Sequence, residues 1–317
     1  MPKSWKISST PPHDFFISLD VNEYFDFEHD PSLMFEKGFT RPVPVGDRDI
    51  LVTIFFNGDP EQPEFTIQAQ ENLDREEIER ANKSLNRILG IHIDLRPLYD
   101  QAGNDPVLGP LLNEFYGFKR ISRANFFEDA LNRIIQTQIK HKPTARKMVY
   151  NVREAYGKLI VGNGKSVPAW PRPVELIGAD PVKMKQYGLS LRKGEYLVGL
   201  ANEIVSGSLN LDELEEMEPQ DFYNKITEIR GIGPTTAQDL MLFREKDQAF
   251  FPSHWQKNSE KGLRRWIIYS YGGDPNRTSE AEFQKMIEHW KGYEALAIEY
   301  LFINYVMSEK KRSREKN

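Results

Sequence analysis

Ile226-Thr227-Glu228-Ile229-Arg230-Gly231-Ile232-Gly233-Pro234-Thr235-Thr236-Ala237 is the stretch on which the fold turns. A helical pattern stops at Arg230, two glycines flank a single isoleucine, and a proline opens the next helical pattern. Glycine adopts the backbone angles of a tight turn, and proline at the first helical position loses no hydrogen bond, because that N–H has no intrahelical partner. Two helices are therefore expected, over about 219–229 and 234–244, joined by a hairpin around a buried Ile232. Such a hairpin lets backbone N–H groups approach a phosphate, and the positive end of the second helix points at the same place. The result is a grip on a nucleic-acid backbone that reads no bases. Gly-x-Gly also serves as a plain turn between packed helices; Pro234 and Thr236-Ala237 favour the grip.

Outward from the hairpin, helical spacing dominates from about residue 106. Phe127, Ala130, Leu131, Ile134 and Ile135 recur at three and four residues, as do Leu197, Leu200, Ala201, Ile204 and Val205. Further helices are expected over 258–271, 279–290 and 293–308. A Pro/Gly-rich connector covers 162–181, and the charged tail 309–317 is expected to be disordered. The first third differs. Residues 50–56 and 64–69 read as strands, with Asn57-Gly58-Asp59-Pro60 as their turn. Asp74 and Glu77 fit a capping box for a helix over 75–89 that stops at Gly90. The fold class is mostly α with an N-terminal α+β domain built on an antiparallel sheet.

The chain has 317 residues, room for about two domains. Lys+Arg number 42 against 47 Asp+Glu, a net charge of −5 that at face value opposes nucleic-acid binding. Residues 1–105 carry a net of −10, however, and the remainder carries +5, so the average conceals a basic two-thirds. There is no cysteine, which excludes disulfides, thiolate nucleophiles, iron–sulfur clusters and Cys-ligated zinc. The six histidines show no ligand spacing, so no metal site is expected. Gly162-Asn163-Gly164-Lys165-Ser166 lacks the first glycine and the following helix of a P-loop, and reads as a plain loop. No secretory signal and no run of about 18 apolar residues is visible.

Several segments in fixed order resemble the helix–hairpin–helix DNA glycosylase superfamily, closest to the bacterial 3-methyladenine DNA glycosylase II type. The resemblance runs from about residue 11 to 305. It rests on Pro11-Pro12 with Asp14-Phe15, on Phe127 to Ile139, on Trp170-Pro171 with Ala179-Asp180-Pro181, on Gly188 to Lys193, on Gly231 to Ala237, and on Trp290-Lys291-Gly292-Tyr293. It implies two helical subdomains flanking a cleft, 96–122 plus 252–308 and 123–251, beside a sheet-containing domain over 1–95. It further implies an enzyme that flips a damaged purine, alkylated or deaminated, out of duplex DNA and hydrolyses its glycosidic bond. Its partner would be double-stranded DNA, with the chain a monomer in a prokaryotic cytoplasm, associated with the nucleoid. No cofactor is implied beyond a monovalent cation that relatives hold at the hairpin carbonyls.

The chemistry departs from the family pattern. An essential Asp follows a Phe-x-Pro segment in the family; here the segment is Phe250-Phe251-Pro252-Ser253-His254-Trp255, and the matching residue is His254. A neutral imidazole accepts a proton from water, but it lacks the negative charge that steadies an oxocarbenium-like sugar. Asp239 falls where the family has an aromatic base-pocket residue, and is the other candidate for charge or for reading a base edge; a surface or capping Asp is the plainer alternative. Thr235 stands where bifunctional members carry a Lys nucleophile, which points to a monofunctional enzyme. The alternative is a weak or inactive glycosylase-like protein that senses lesions.

Base stacking needs aromatic faces. Tyr293 is the first candidate for the pocket, with Thr235 beside it and Trp255 and Trp290 behind, although a large aromatic such as Trp290 more often belongs to a core. Gln136, Thr137 and Gln138 interrupt an apolar pattern, which suits a loop that enters the gap left by the flipped base. Lys140 and Lys142 follow, and with Gly231, Gly233 and Thr236 they complete the expected DNA contacts.

Overall fold

The computed structural model describes residues 4–25, 33–162, 164–252 and 262–314. Alternating β-branched and aromatic residues build a five-stranded antiparallel sheet from β1 (Ser4–Ser8), β2 (Met34–Phe35), β3 (Gly38–Val45), β4 (Arg48–Phe56) and β5 (Glu64–Ala69), in the order β1-β5-β4-β3-β2. The expected hairpin is the β4–β5 pair, with Ile54 opposite Ile67 and Phe56 opposite Phe65. Asn57 closes its turn: the side-chain oxygen accepts from the N–H groups of Asp59 and Glu64, and the amide donates to the Gln62 carbonyl.

Helix α1 (Phe15–Phe25) precedes β2, and α2 (Arg75–Leu89) packs on β3. The limits of α2 are those the sequence dictates. Asp74 accepts from the Glu77 N–H, Glu77 accepts from the Asp74 N–H, and Gly90 ends the helix at φ 62°. The helical part follows with α3 (Arg96–Ala102), α4 (Leu108–Glu114), α5 (Phe126–Gln136), α6 (Lys142–Tyr156), the small hairpin β6 (Leu159–Gly162) and β7 (Lys165–Pro168), α7 (Pro173–Leu176), α8 (Leu191–Val205), α9 (Leu211–Glu216), α10 (Pro219–Thr227), α11 (Pro234–Met241), α12 (Leu263–Ser270), α13 (Glu280–Met286) and α14 (Glu294–Arg314).

Three details differ from expectation. The β6–β7 hairpin runs into the start of the connector, so that Gly162, Lys165 and Ser166 pair as strand residues and not as a plain loop, because Leu159-Ile160-Val161 is a strand-forming run followed by Gly164 at φ 71°. The segment expected as one helix over 279–290 ends at Met286 and continues as a 3₁₀ turn, Glu288–Trp290. Residues 309–314, expected as disordered tail, continue α14, since a run of Glu, Lys and Arg has good helix propensity.

The apolar interior forms two clusters. One joins the sheet to the central helices, through residues such as Phe15, Val52, Ile67, Leu131, Leu200, Ile226 and Leu240. The other joins Leu98, Leu111 and Phe118 to Ile267, Phe283, Trp290, Ile298 and Leu301. Leu242 and Phe243, adjacent just after α11, fall on opposite sides of this division.

A buried charge cluster holds α5 against the N-terminal elements. Asp129, fully enclosed in the first turn of α5, lies 2.8 Å from Arg87 of α2 and 3.2 Å from Arg123. Arg87 also donates to the Arg123 carbonyl at 2.6 Å and reaches Glu215 at 3.2 Å. Arg41 of β3 lies 3.6 Å from Glu128. Asn125 caps the helix by accepting from the Glu128 N–H, and Glu128 and Asp129 place negative charge at its positive end. Removing one member of such a cluster leaves buried charge uncompensated. Asp129→Ala is expected to cost about 3–5 kcal/mol in urea unfolding; a cost under about 1 kcal/mol, the range of an exposed pair, would contradict this arrangement.

Candidate functional site

The hairpin forms as the sequence dictates. Ile232 is buried and donates its N–H to the Ile229 carbonyl at 3.0 Å. Gly231 has φ +103°, and a Cβ there would lie 2.5 Å from the Tyr196 ring, so both backbone and packing require glycine. Gly233 is different: its φ is −84° and no atom lies within 4 Å of the position a Cβ would take. Among the described residues nothing demands glycine there. Helix α11 has no side-chain cap, and among the described residues none accepts the N–H groups of Thr235 and Thr236. The Thr235 side chain is exposed, whereas Thr236 is buried. The Thr236 side chain is therefore enclosed, and what it leaves open at this end of α11 is its backbone N–H.

The polar loop after α5 is held open by a neighbouring lysine. Lys193, in the first turn of α8, donates to the carbonyls of Ile135 at 2.6 Å and Thr137 at 2.8 Å. Its partial burial lowers its pKa from the ordinary lysine value. Gln138 sits at φ +67°, a left-handed conformation that L residues with a Cβ adopt at a cost. Thr137, Gln138 and Lys140 are exposed, as a polar run that interrupts an apolar pattern predicts. Gln136 is not part of that exposed tip; its amide donates to Asn132 Oδ1 at 2.7 Å, and it faces a cavity.

That cavity, about 310 Å³, lies between α5, α11 and α14. Asn132, Arg133 and Gln136 come from α5, Asp239, Leu242 and Phe243 from α11 and the turn after it, and Phe302, Tyr305 and Val306 from α14; Arg120 and Lys142 complete it. Arg133 Nη2 donates to Asp239 Oδ2 in an ion pair across the cavity wall. Arg120 stacks 4.6 Å above the Phe243 ring and lies 2.9 Å from Glu299. Burial lowers the Arg120 pKa and pushes Glu299 up to about 7, with Arg120 opposing the latter shift. Phe302 is fixed by a stacked Trp266, ring centres 4.5 Å apart at 18°. On the other side of α5 a crevice of about 40 Å³ is too small for a purine.

The base-pocket residues expected from sequence fall mostly elsewhere. Trp290 is completely buried and donates Nε1–H to the Tyr271 hydroxyl at 2.9 Å, so it is core and cannot stack on a ligand. Tyr293 is half-buried against the second apolar cluster and does not line the cavity. It precedes Phe302 by nine residues, roughly 13 Å along a helix. Thr235 is on the hairpin exterior. His254 and Trp255 lie outside the described residues. Of the charged candidates, Asp239 does line the cavity, but paired. Arg133, Lys193, Phe302 and Tyr305 carry the site without having been singled out from sequence. Arg133 interrupts the apolar run of α5, which was a usable signal; Phe302 and Tyr305 have ordinary core spacing.

No protein-family model matches the chain. The DNA-3-methyladenine glycosylase of Bacillus subtilis is 30% identical over 209 residues, covering 66% of this chain and 67% of that one. YfjP of the same organism is 24% identical over 303 residues, covering 94% and 97%. Among solved structures, the 3-methyladenine DNA-glycosylase of Archaeoglobus fulgidus superposes with a TM-score of 0.73 at 23% identity, over 95% of this chain and 98% of that one. The architecture is that of a helix–hairpin–helix DNA glycosylase. By its sequence the chain belongs to the DNA-3-methyladenine glycosylase family.

The strained loop tip supplies a check. Gln138→Gly should raise unfolding free energy by about 1 kcal/mol in urea, because glycine carries no left-handed penalty. A drop of similar size would show that the loop adopts another backbone in solution.

Proposed function

We propose that the protein is a monofunctional DNA glycosylase that draws a damaged purine out of duplex DNA into the cavity between α5, α11 and α14 and hydrolyses its glycosidic bond. The observation that carries this reading is Gly233. Among the described residues neither backbone angle nor packing requires glycine there, which supports a missing side chain that makes room for something outside the protein. The N–H groups at the start of α11, which have no acceptor among the described residues, would bind a phosphate oxygen at that position. The loop of Thr137 and Gln138 would fill the vacated stack, and Lys140 and Lys142 would lie along the backbone. The DNA would then run over the basic two-thirds of the chain as one protein copy per lesion, a placement that suits a nucleoid protein. Among the described residues no helix is long and apolar enough to cross a membrane.

For the chemistry, His254 is proposed as the base that takes a proton from water, on its sequence position alone. Thr235 stands in place of the lyase lysine, so no Schiff base is expected. Asp239 is less suited to steadying a cationic sugar than a free carboxylate, because Arg133 holds it in an ion pair. That pairing, with His254 in place of Asp, favours a second reading: a lesion-binding protein that does not hydrolyse. Oligonucleotides carrying alkylated purines, hypoxanthine, uracil or 8-oxoguanine, treated with alkali after incubation, separate the two. Strand breaks that disappear in His254→Ala support the enzyme, and none from any lesion together with lesion-selective gel shifts supports the sensor.

Two outcomes are expected of the grip itself. Gly233→Ala should change unfolding free energy by no more than about 0.5 kcal/mol, the usual effect of an open surface position. It should nevertheless weaken duplex binding about tenfold, the worth of about one charge-assisted hydrogen bond. Unchanged affinity would remove the hairpin from the DNA interface.

A further inference from the structure

We propose that the crevice between β3, α5, α6 and β7 is a binding site for one small inorganic anion, a halide or a single oxyanion such as phosphate. The site lies apart from the cavity bounded by α5, α11 and α14 and does not depend on the glycosylase reading.

Four arginines line the crevice: Arg41 from β3, Arg123 from the segment before α5, and Arg146 and Arg153 from α6. Among the described residues no Asp or Glu lines it. Two of the four are answered from behind, since Glu128 lies 3.6 Å from Arg41 and Asp129 lies 3.2 Å from Arg123. Arg153 is not. Its side chain is buried, and among the described residues it forms no ion pair. The guanidinium donates Nη2–H to the Pro168 carbonyl and lies 5.2 Å from the centre of the Trp170 ring, while its Nε–H has no acceptor. Trp170 is also buried and lines the same crevice, and its Nε1–H has no acceptor either. Two enclosed donors and an uncompensated positive charge thus belong to adjacent side chains of one crevice.

Burial lowers the Arg153 pKa to about 10, and the charges of Arg41 and Arg123 act in the same direction against Glu128. The group is therefore cationic at neutral pH in a region already rich in positive charge. Water in the crevice accepts N–H bonds but leaves the charge uncompensated, and a buried guanidinium without a counter-charge is strongly destabilising. An anion meets both needs. Size sets its class: about 40 Å³ holds about three waters at roughly 10–15 Å³ each, which admits chloride or one phosphate and excludes a nucleotide. Asn132 and Gln136 line both this crevice and the larger cavity, so α5 is the wall between them. An anion here ties α6 and β7 to α5 behind that cavity.

Thermal unfolding of the whole protein at fixed ionic strength tests the proposal, with gluconate, too bulky for the crevice, replaced stepwise by chloride or by phosphate. One of the two is expected to raise the midpoint by about 2 °C or more, as a ligand held only by the folded state does. Which of them does so distinguishes halide from oxyanion. Arg153→Met should abolish this rise; the general stabilising effect of phosphate is common to both proteins, so the difference between them is what is read. Crystals grown with bromide or arsenate, heavier stand-ins for the two ions, give a second measurement and decide the question if that variant does not fold. An anomalous peak is expected in the crevice beside Arg153 and Trp170. Equal midpoints in all three salts, an equal rise in Arg153→Met, or a crevice that holds only water would overturn the proposal. A peak without a midpoint rise would mean an adventitious ion only, and overturns it as well.

Discussion

Asp129 is enclosed between Arg87 and Arg123, and the placement of the site depends on that arrangement. Three segments distant in sequence meet there: the end of α2 from the N-terminal domain, the extended segment before α5, and the first turn of α5 itself. A buried carboxylate between two guanidiniums tolerates few geometries, since each charge stranded in the interior costs several kcal/mol. The cluster therefore fixes where α5 begins and how it is rotated. Arg133 follows Asp129 by four residues and Gln136 by seven, about one and two helical turns further on. Both point at the cavity because Asp129 points at Arg87.

Helix α11 connects the other two parts of the site. Its first turn offers the N–H groups of Thr235 and Thr236, and Asp239, one turn later, reaches Arg133. A helix of eight residues thus spans the distance from the uncapped hairpin N–H groups to the cavity wall. Its position is set by Ala237 and Leu240, buried in one apolar cluster, and by Leu242, buried in the other. The seam between the two clusters and the cavity coincide, which is how a compact chain keeps a pocket open without spending either core on it. The loop at Gln138 belongs to the same economy: a left-handed residue is retained at its tip, and Lys193 holds the two carbonyls that flank it.

What was legible in the sequence was what local chemistry decides. The ends of α2 follow from Asp74, Glu77 and Gly90, the hairpin from Gly231, Gly233 and Pro234, and the β4–β5 pair from alternating strands around Asn57. Each signal lies within a few residues of what it specifies. The cavity wall was not legible for the opposite reason. Arg133 and Asp239 are 106 positions apart, and no local pattern announces their pairing. Phe302 and Tyr305 have the spacing of core residues, and only packing shows that they line the cavity while Trp290, as a large aromatic more often does, lies in the core. The charge of the chain belongs to the same lesson, because a net of −5 hid the basic remainder that carries the site.

The central claim is that one cavity, bounded by α5, α11 and α14, receives an extruded base while the α11 hairpin holds the strand. A crystal structure of the protein on a duplex containing a 2′-fluorinated, cleavage-resistant damaged nucleotide measures this directly. The account predicts the base inside the cavity against Phe302 and Tyr305, within about 3.2 Å of Arg133, and a phosphate oxygen at similar distance from the N–H groups of Thr235 and Thr236. A base still stacked in the duplex, or a duplex bound across another face of the molecule, would contradict it.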